Sequence, residues 1–178
     1  MMPFKYTFLA LAVPGIFLTD QITKLAVIIW IPLGERRAVI DGFFDLVHFQ
    51  NTGAAFGFLS GSAASFRIPF FYIIALIATC LLALYFRLMG GGERRVPVAI
   101  SLVFGGMAGN VIDRIRLGAV TDFLSFHIGE RVLSFSLFGI QCHWVLEWPA
   151  FNVADSAITI AMFLLVISVF RPHHGRRS

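Results

Sequence analysis

The stretch GGMAGNVIDRIRLGAVTDF, residues 105–123, begins inside an apolar run and ends in a polar segment with two aspartates and two arginines. Gly105 and Gly109 stand four apart, so on a helix they form one smooth stripe that admits another helix at close range. Asn110, Asp113 and Arg114 follow at i, i+3 and i+4 and share one helical face. Asp122 comes shortly after. A hydrophobic segment that delivers so much hydrogen-bonding chemistry at its end calls for partners elsewhere in the chain.

Composition says what kind of partners to look for. Of the 178 residues, 58% are hydrophobic and only 13% charged, with a mean hydropathy of +0.83. Soluble domains carry about twice that charged fraction. There is too little polar surface to solvate a globule, so an integral membrane protein is expected. The net charge of +4 fits basic flanks on membrane helices, not a nucleic-acid surface. Cys80 and Cys142 make no disulfide framework. His48, His127 and His143 are scattered, and neither HExxH nor paired CxxC occurs, so no metal or other cofactor is expected.

Four apolar runs, at about 6–33, 68–88, 96–112 and 155–170, predict four transmembrane helices in one integral membrane domain, 1–178. The first is longer than a signal-peptide core and lacks a convincing cleavage site, so it reads as a retained helix. It carries Asp20 and Lys24 at i and i+4, acid first, the favourable order for a helical ion pair. That pair either fixes packing alone or supports a polar site between helices. Two long connections, 35–67 and 113–154, separate the runs. In the first, Asp41-Gly42 between two short alternating segments predicts a hairpin, followed by the small, flexible NTGAAFG at 51–57. Its phenylalanines (Phe43, Phe44, Phe49, Phe56, Phe58) and Trp144 and Trp148 in the second suit the headgroup level. In the second, residues 134–138 alternate weakly, as a strand does.

Basic residues set the expected topology. The amino end, the 87–95 turn and the tail hold seven Lys or Arg in about 25 residues, against six in about 75 for the long connections. Both termini are then cytoplasmic and both long connections lie outside. On this topology Asp20, Lys24, Asn51, the 110–122 polar residues and FNVADSA at 151–157 all fall toward the outer leaflet. Asn152 can cap the fourth helix, and Asp155 sits three residues on, at a helix start that favours an acid. A capping pair and nothing more would explain that motif alone. The joint pattern does more: Asp122 and Asp155 enter one layer from different segments, each near an amide. Two carboxylates sharing a site do not both ionise easily, and such a pair divides acid and base work as aspartic proteases do.

Four motifs carry a resemblance over nearly the whole chain: DQITK at 20–24, FQNTGAAFG at 49–57, the 105–123 stretch and FNVADSA at 151–157, with four spans in order. They resemble the lipoprotein signal peptidase (signal peptidase II) family of aspartic peptidases. The resemblance implies an all-α membrane protein of four transmembrane helices, with a small extracytoplasmic β-hairpin cradle and a periplasmic loop or short helix. It implies an enzyme of the bacterial inner membrane that cuts prolipoproteins on the amino side of a diacylglyceryl-modified lipobox cysteine. The catalytic dyad would be Asp122 and Asp155. Supporting residues would be Asp20, Lys24, Asn51, Asn110, Arg114 and Asn152, with Asn110 and Asn152 orienting the dyad. Arg114 would bind lipid phosphate or pair with Asp113. Membrane lipids and prolipoproteins are the implied partners, and the chain is expected to be a monomer. The 33 residues from Asp122 to Asp155 exceed the family's expected spacing, with the excess around 130–148.

The rival readings are a proton-coupled transporter or channel, since intramembrane Asp and Lys mark ion pathways, and a non-catalytic scaffold. A transporter would spread polar groups through the depth of its spans, whereas here they cluster at one end. A scaffold leaves the doubled Asp/Asn pattern unexplained.

Overall fold

The computed structural model describes residues 3–53, 61–90, 94–137 and 140–170, with the backbone alone for 130–145. Among the described residues four helices are long and apolar enough to cross a membrane: α1 (Phe4–Trp30), α2 (Ala64–Leu88), α3 (Arg95–Leu117) and α4 (Val153–Phe170). Strands β1 (Arg36–Ile40), β2 (Phe44–Asn51), β3 (Val120–Leu137) and β4 (Ile140–Phe151) form one four-stranded antiparallel sheet in the order β1-β2-β3-β4. The chain divides into two compact units. One holds Met1–Gln21, Ser62–Gly118 and Val153–Ser178; the other holds Ile22–Gly61 and Ala119–Asn152.

In the helical unit α3 is the most enclosed element, and small residues enclose it. A Cβ on Gly105 would stand 2.8 Å from Ile16 Cβ, and one on Gly106 would stand 2.6 Å from the Ala154 carbonyl. Gly105 thus admits α1 and Gly106 admits α4, where Ala154, Ala157 and Ala161 are buried. The glycine stripe read from the sequence therefore meets α1, and the contact with α4 belongs to the neighbouring Gly106. Leu76, Leu81 and Leu88 of α2 stay exposed, as lipid-facing side chains do. Lys5 fastens the end of α2, its Nζ donating to the carbonyls of Phe86 and Met89 at 2.9 Å each.

The third helix outlasts its apolar run. It continues to Leu117, taking in residues 113–117 of the expected outer connection. Gly118 then stops it at φ 71°, a left-handed conformation suited to glycine, and its N–H donates to Arg114 O at 3.1 Å.

In the sheet unit the Asp-Gly turn forms where alternation predicts it. Gly42 takes φ 72° and Phe43 N donates to Ile40 O at 3.0 Å. The second connection, read as a loop or short helix with one weak strand, is a long β3–β4 hairpin that takes up the extra residues. Phe44, Phe126 and Phe151 stack across three strands, with ring centroids 4.7 and 5.9 Å apart. Arg36 donates to Asp45 at 3.2 Å and to Glu147 at 3.1 Å, and Ser125 donates to Glu147 at 2.8 Å, tying β1 to β4. The 54–58 segment and the 171–178 tail, like the side chains of Cys142, His143 and Trp144, lie outside the described residues.

Candidate active site

The sheet unit presents Asp122, the third residue of β3, opposite Phe49 of β2. Its carboxylate is buried at 3% exposure and both oxygens receive amides. Asn51 Nδ2 donates to Oδ2 at 3.1 Å, and Asn152 Nδ2 donates to Oδ1 at 2.8 Å. Both amides are themselves oriented. Asn51 Oδ1 accepts the Gly53 N–H at 2.9 Å, so its nitrogen must face the acid. Asn152, fully buried just past β4, also reaches Thr121 O at 3.3 Å. An isolated carboxylate in such a place would be costly, and directed donors offset that cost.

The helical unit presents Asp155 in the first turn of α4, half-buried. Asn110 Nδ2 donates to its Oδ1 at 2.8 Å from α3. One turn on, Arg114 Nη1 donates to Asn110 O at 3.3 Å, and its guanidinium lies 4.6 Å from the centre of the Phe71 ring. Asn110 and Arg114 line a mostly apolar cavity of about 220 Å³ with Phe71, Tyr72, Met107 and Ile158.

Asp20 is fully buried, and its Oδ1 accepts the Ala154 N–H at 2.9 Å. A carboxylate from α1 therefore satisfies an orphan donor at the start of α4 and meets the positive end of its dipole. Gly109 makes this possible, because a Cβ there would collide with the Asp20 carboxylate. Gln21 was not singled out from the sequence. Its Nε2 lies 3.2 Å from Asp20 Oδ2, 3.3 Å from Gly109 O and 3.0 Å from Asp113 Oδ1. A second polar residue beside Asp20 in an apolar span was the available signal. Lys24 is buried on α1, one turn beyond Asp20.

Comparison with known proteins adds an independent finding. Residues 12–171 match the family model described as signal peptidase (SPase) II. A lipoprotein signal peptidase of Syntrophus aciditrophicus is 38% identical over 156 residues, covering 88% of each chain. One from Nitratidesulfovibrio vulgaris is 38% identical over 184 residues and covers the whole of both. A bacterial membrane enzyme solved in meso at 2.3 Å superposes with a TM-score of 0.75, at 30% identity, over 96% of this chain and 93% of its own.

Proposed function

The chain belongs to the signal peptidase II family, and from that premise we propose that Asp122 and Asp155 are its catalytic dyad. The family activity is removal of signal peptides from prolipoproteins by an aspartic peptidase, and the chain is a multi-pass membrane protein with four candidate spans. One observation carries the residue assignment. Each aspartate is held by an asparagine amide at 2.8 Å, Asn152 on Asp122 and Asn110 on Asp155, on scaffolds of different kinds.

The chemistry follows from two carboxyl groups and a water. One carboxylate takes a proton from the water as its oxygen attacks the scissile carbonyl. The other, a carboxylic acid, gives its proton to the developing oxyanion. The first then passes the proton it took from water to the leaving amine as the C–N bond breaks, and the collapsing intermediate returns a hydroxyl proton to the second. Asn51 and Asn152 orient one acid and Asn110 the other. Asp20 steadies the start of α4, Lys24 supplies charge to the polar layer, and Arg114 faces the substrate. Substrates are diacylglyceryl-modified prolipoproteins cut on the amino side of the lipidated cysteine. Their acyl chains and signal helix remain in the bilayer and bring the bond to the site. The protein acts as a monomer and as one membrane domain. It sits in the bacterial inner membrane with both termini cytoplasmic and the dyad toward the periplasmic side, the orientation its basic residues favour.

The test is cleavage of a diacylglyceryl-modified prolipoprotein peptide by purified protein. Asp122→Asn and Asp155→Asn should each lower turnover about 10³-fold or more while the protein still inserts. Substantial cleavage by either variant would sink the dyad.

A further inference from the structure

Strands β2 and β3 do not keep one register. Phe44, Asp45 and Leu46 face Phe126, Ser125 and Leu124; after the break Phe49, Gln50 and Asn51 face Asp122, Thr121 and Val120. Val47 and His48 thus share the single partner position of Phe123, which is a β-bulge. Burial records the same event: Asp45 and Val47 alternate as buried positions, then His48 is buried directly beside Val47.

The extra residue has a consequence for parity. Residues directly opposite one another share a face of the sheet, and a one-residue change of register moves side chains to the other face. Extending the first register would put Val120 opposite Gln50 and Asp122 opposite His48, leaving Asn51 on the face away from Asp122. The bulge restores Asn51 to the Asp122 face, from which its amide reaches Oδ2 at 3.1 Å.

His48, one of the two bulged residues, is bonded to the segment that precedes β1. Its N–H donates to Glu35 O at 3.0 Å and its carbonyl accepts from Gly34 N at 2.8 Å. Gly34 makes that turn at φ 85°. The buried ring sets Nδ1 2.8 Å from the carbonyl of Ile31, just past the end of α1. A carbonyl only accepts, so Nδ1 carries the proton and satisfies one of the orphan carbonyls at a helix end. Three bonds, one from the ring and two from the backbone, therefore anchor the extra residue to the 31–35 segment.

We infer that His48 is a positioning residue, which acts through the β2 bulge to place Asn51 on Asp122. The inference rests on the reading of Asp122 as one of the catalytic carboxylates. An asparagine at 48 carries an amide nitrogen where the histidine carries Nδ1, whereas a leucine fills the space with no donor.

The experiment uses the full chain in membranes. His48→Leu should lower kcat for the diacylglyceryl peptide about tenfold with KM nearly unchanged, and His48→Asn should recover most of it. Adding His48→Leu to Asn51→Ala should cost nothing further, because both act through one contact. A second readout needs no substrate. With Cys80 and Cys142 changed to Ser, the pair Gln50→Cys and Thr121→Cys should cross-link on oxidation. Introducing His48→Leu should cut that yield about fivefold and raise the yield of the pair Gln50→Cys and Val120→Cys. Unchanged kcat in His48→Leu, additive losses in the double variant, or an unchanged 50–121 cross-link would each overturn the role of His48. If unsubstituted enzyme does not cut the peptide, the functional reading fails, and the cross-link decides His48 by itself.

Discussion

The sheet unit and the helical unit each present one aspartate to an asparagine at 2.8 Å, but they control it differently. Asp122 is fixed by strand register: Asn51 ends β2, Asn152 follows β4, and each reaches one carboxylate oxygen. Asp155 is fixed by close approach of helices. Gly106 lets α4 reach α3, and Gly109 leaves room for Asp20, whose carboxylate meets Ala154 from 134 residues away in sequence. A register is lost by slipping one residue, and a close approach is lost by adding one methyl group. The two halves of the proposed site should therefore fail in distinguishable ways.

The asparagines test the comparison most strongly. A hydrogen bond to a charged group contributes about 1.5–3 kcal/mol, which corresponds to roughly 10- to 150-fold in rate if it is needed in the transition state. Asn51→Ala and Asn110→Ala should each lower kcat by a factor in that range, measured on the lipidated peptide. Equal losses would mean that strand and helix scaffolds serve their acids alike. A loss confined to one variant would show that the other acid is held by its scaffold alone.

Next comes the close approach. Gly109→Ala inserts a methyl into the space of the Asp20 carboxylate, and overpacking of this kind costs about 1–3 kcal/mol. Thermal unfolding in detergent should show the loss. Gly15→Ala on α1, where a Cβ would meet nothing within 4 Å, is the control and should be neutral or stabilising. If both behave alike, α3 is not held close by its glycines.

These effects separate what was legible in the sequence from what was not. Hydropathy marks all four helices, because a span must be apolar along its length, and Asp-Gly marks the first hairpin, because that turn needs φ > 0 at Gly42. The β3–β4 hairpin shows in the sequence only at 134–138, since apolar residues stand at odd and even positions alike along this stretch and blur the period-two signal. The 105–123 stretch revealed Asn110, Arg114 and Asp122 by helical spacing and position. It did not reveal which neighbour each glycine admits: Gly105 and Gly109 meet α1, whereas the adjacent Gly106 meets α4. The bulge at His48 left no trace in the sequence pattern: one added residue changes parity without changing composition. The link from Asp20 to Ala154 is equally silent, since no local rule connects positions so far apart.

Asp20→Ala removes that link. It leaves the Ala154 N–H without this acceptor, and loss of a capping side chain costs about 0.5–2 kcal/mol. Unfolding should shift by less than for a disrupted core. Turnover should fall further than stability does, because Asp155 sits in the turn that Asp20 caps. Asp20→Asn retains an acceptor oxygen and should restore part of the stability. If Asp20→Ala and Asp20→Asn unfold together, the charge on the helix dipole is what matters, and the hydrogen bond is secondary.

The smallest effect belongs to the brace on the sheet. Arg36 is half-exposed, and its guanidinium donates to Asp45 and to Glu147. Ion pairs open to solvent contribute about 0–1 kcal/mol because water and salt compete for the charge. Asp45 itself is buried, but His127 Nε2 still lies 3.2 Å from its Oδ2 when Arg36 is removed. The register of β2 against β3 has other supports in the ladder, the Phe44–Phe126 stack and the bulge. Arg36→Ala should therefore leave turnover within about twofold of the unsubstituted enzyme and lower stability by less than about 1 kcal/mol, a loss that shrinks further at high salt. The 50–121 cross-link should be unaffected in the same variant. A large loss of turnover on Arg36→Ala would mean that register in the sheet depends on its charges, and the contrast between a sheet set by hydrogen-bonded register and a helix pair set by bulk would have to be redrawn.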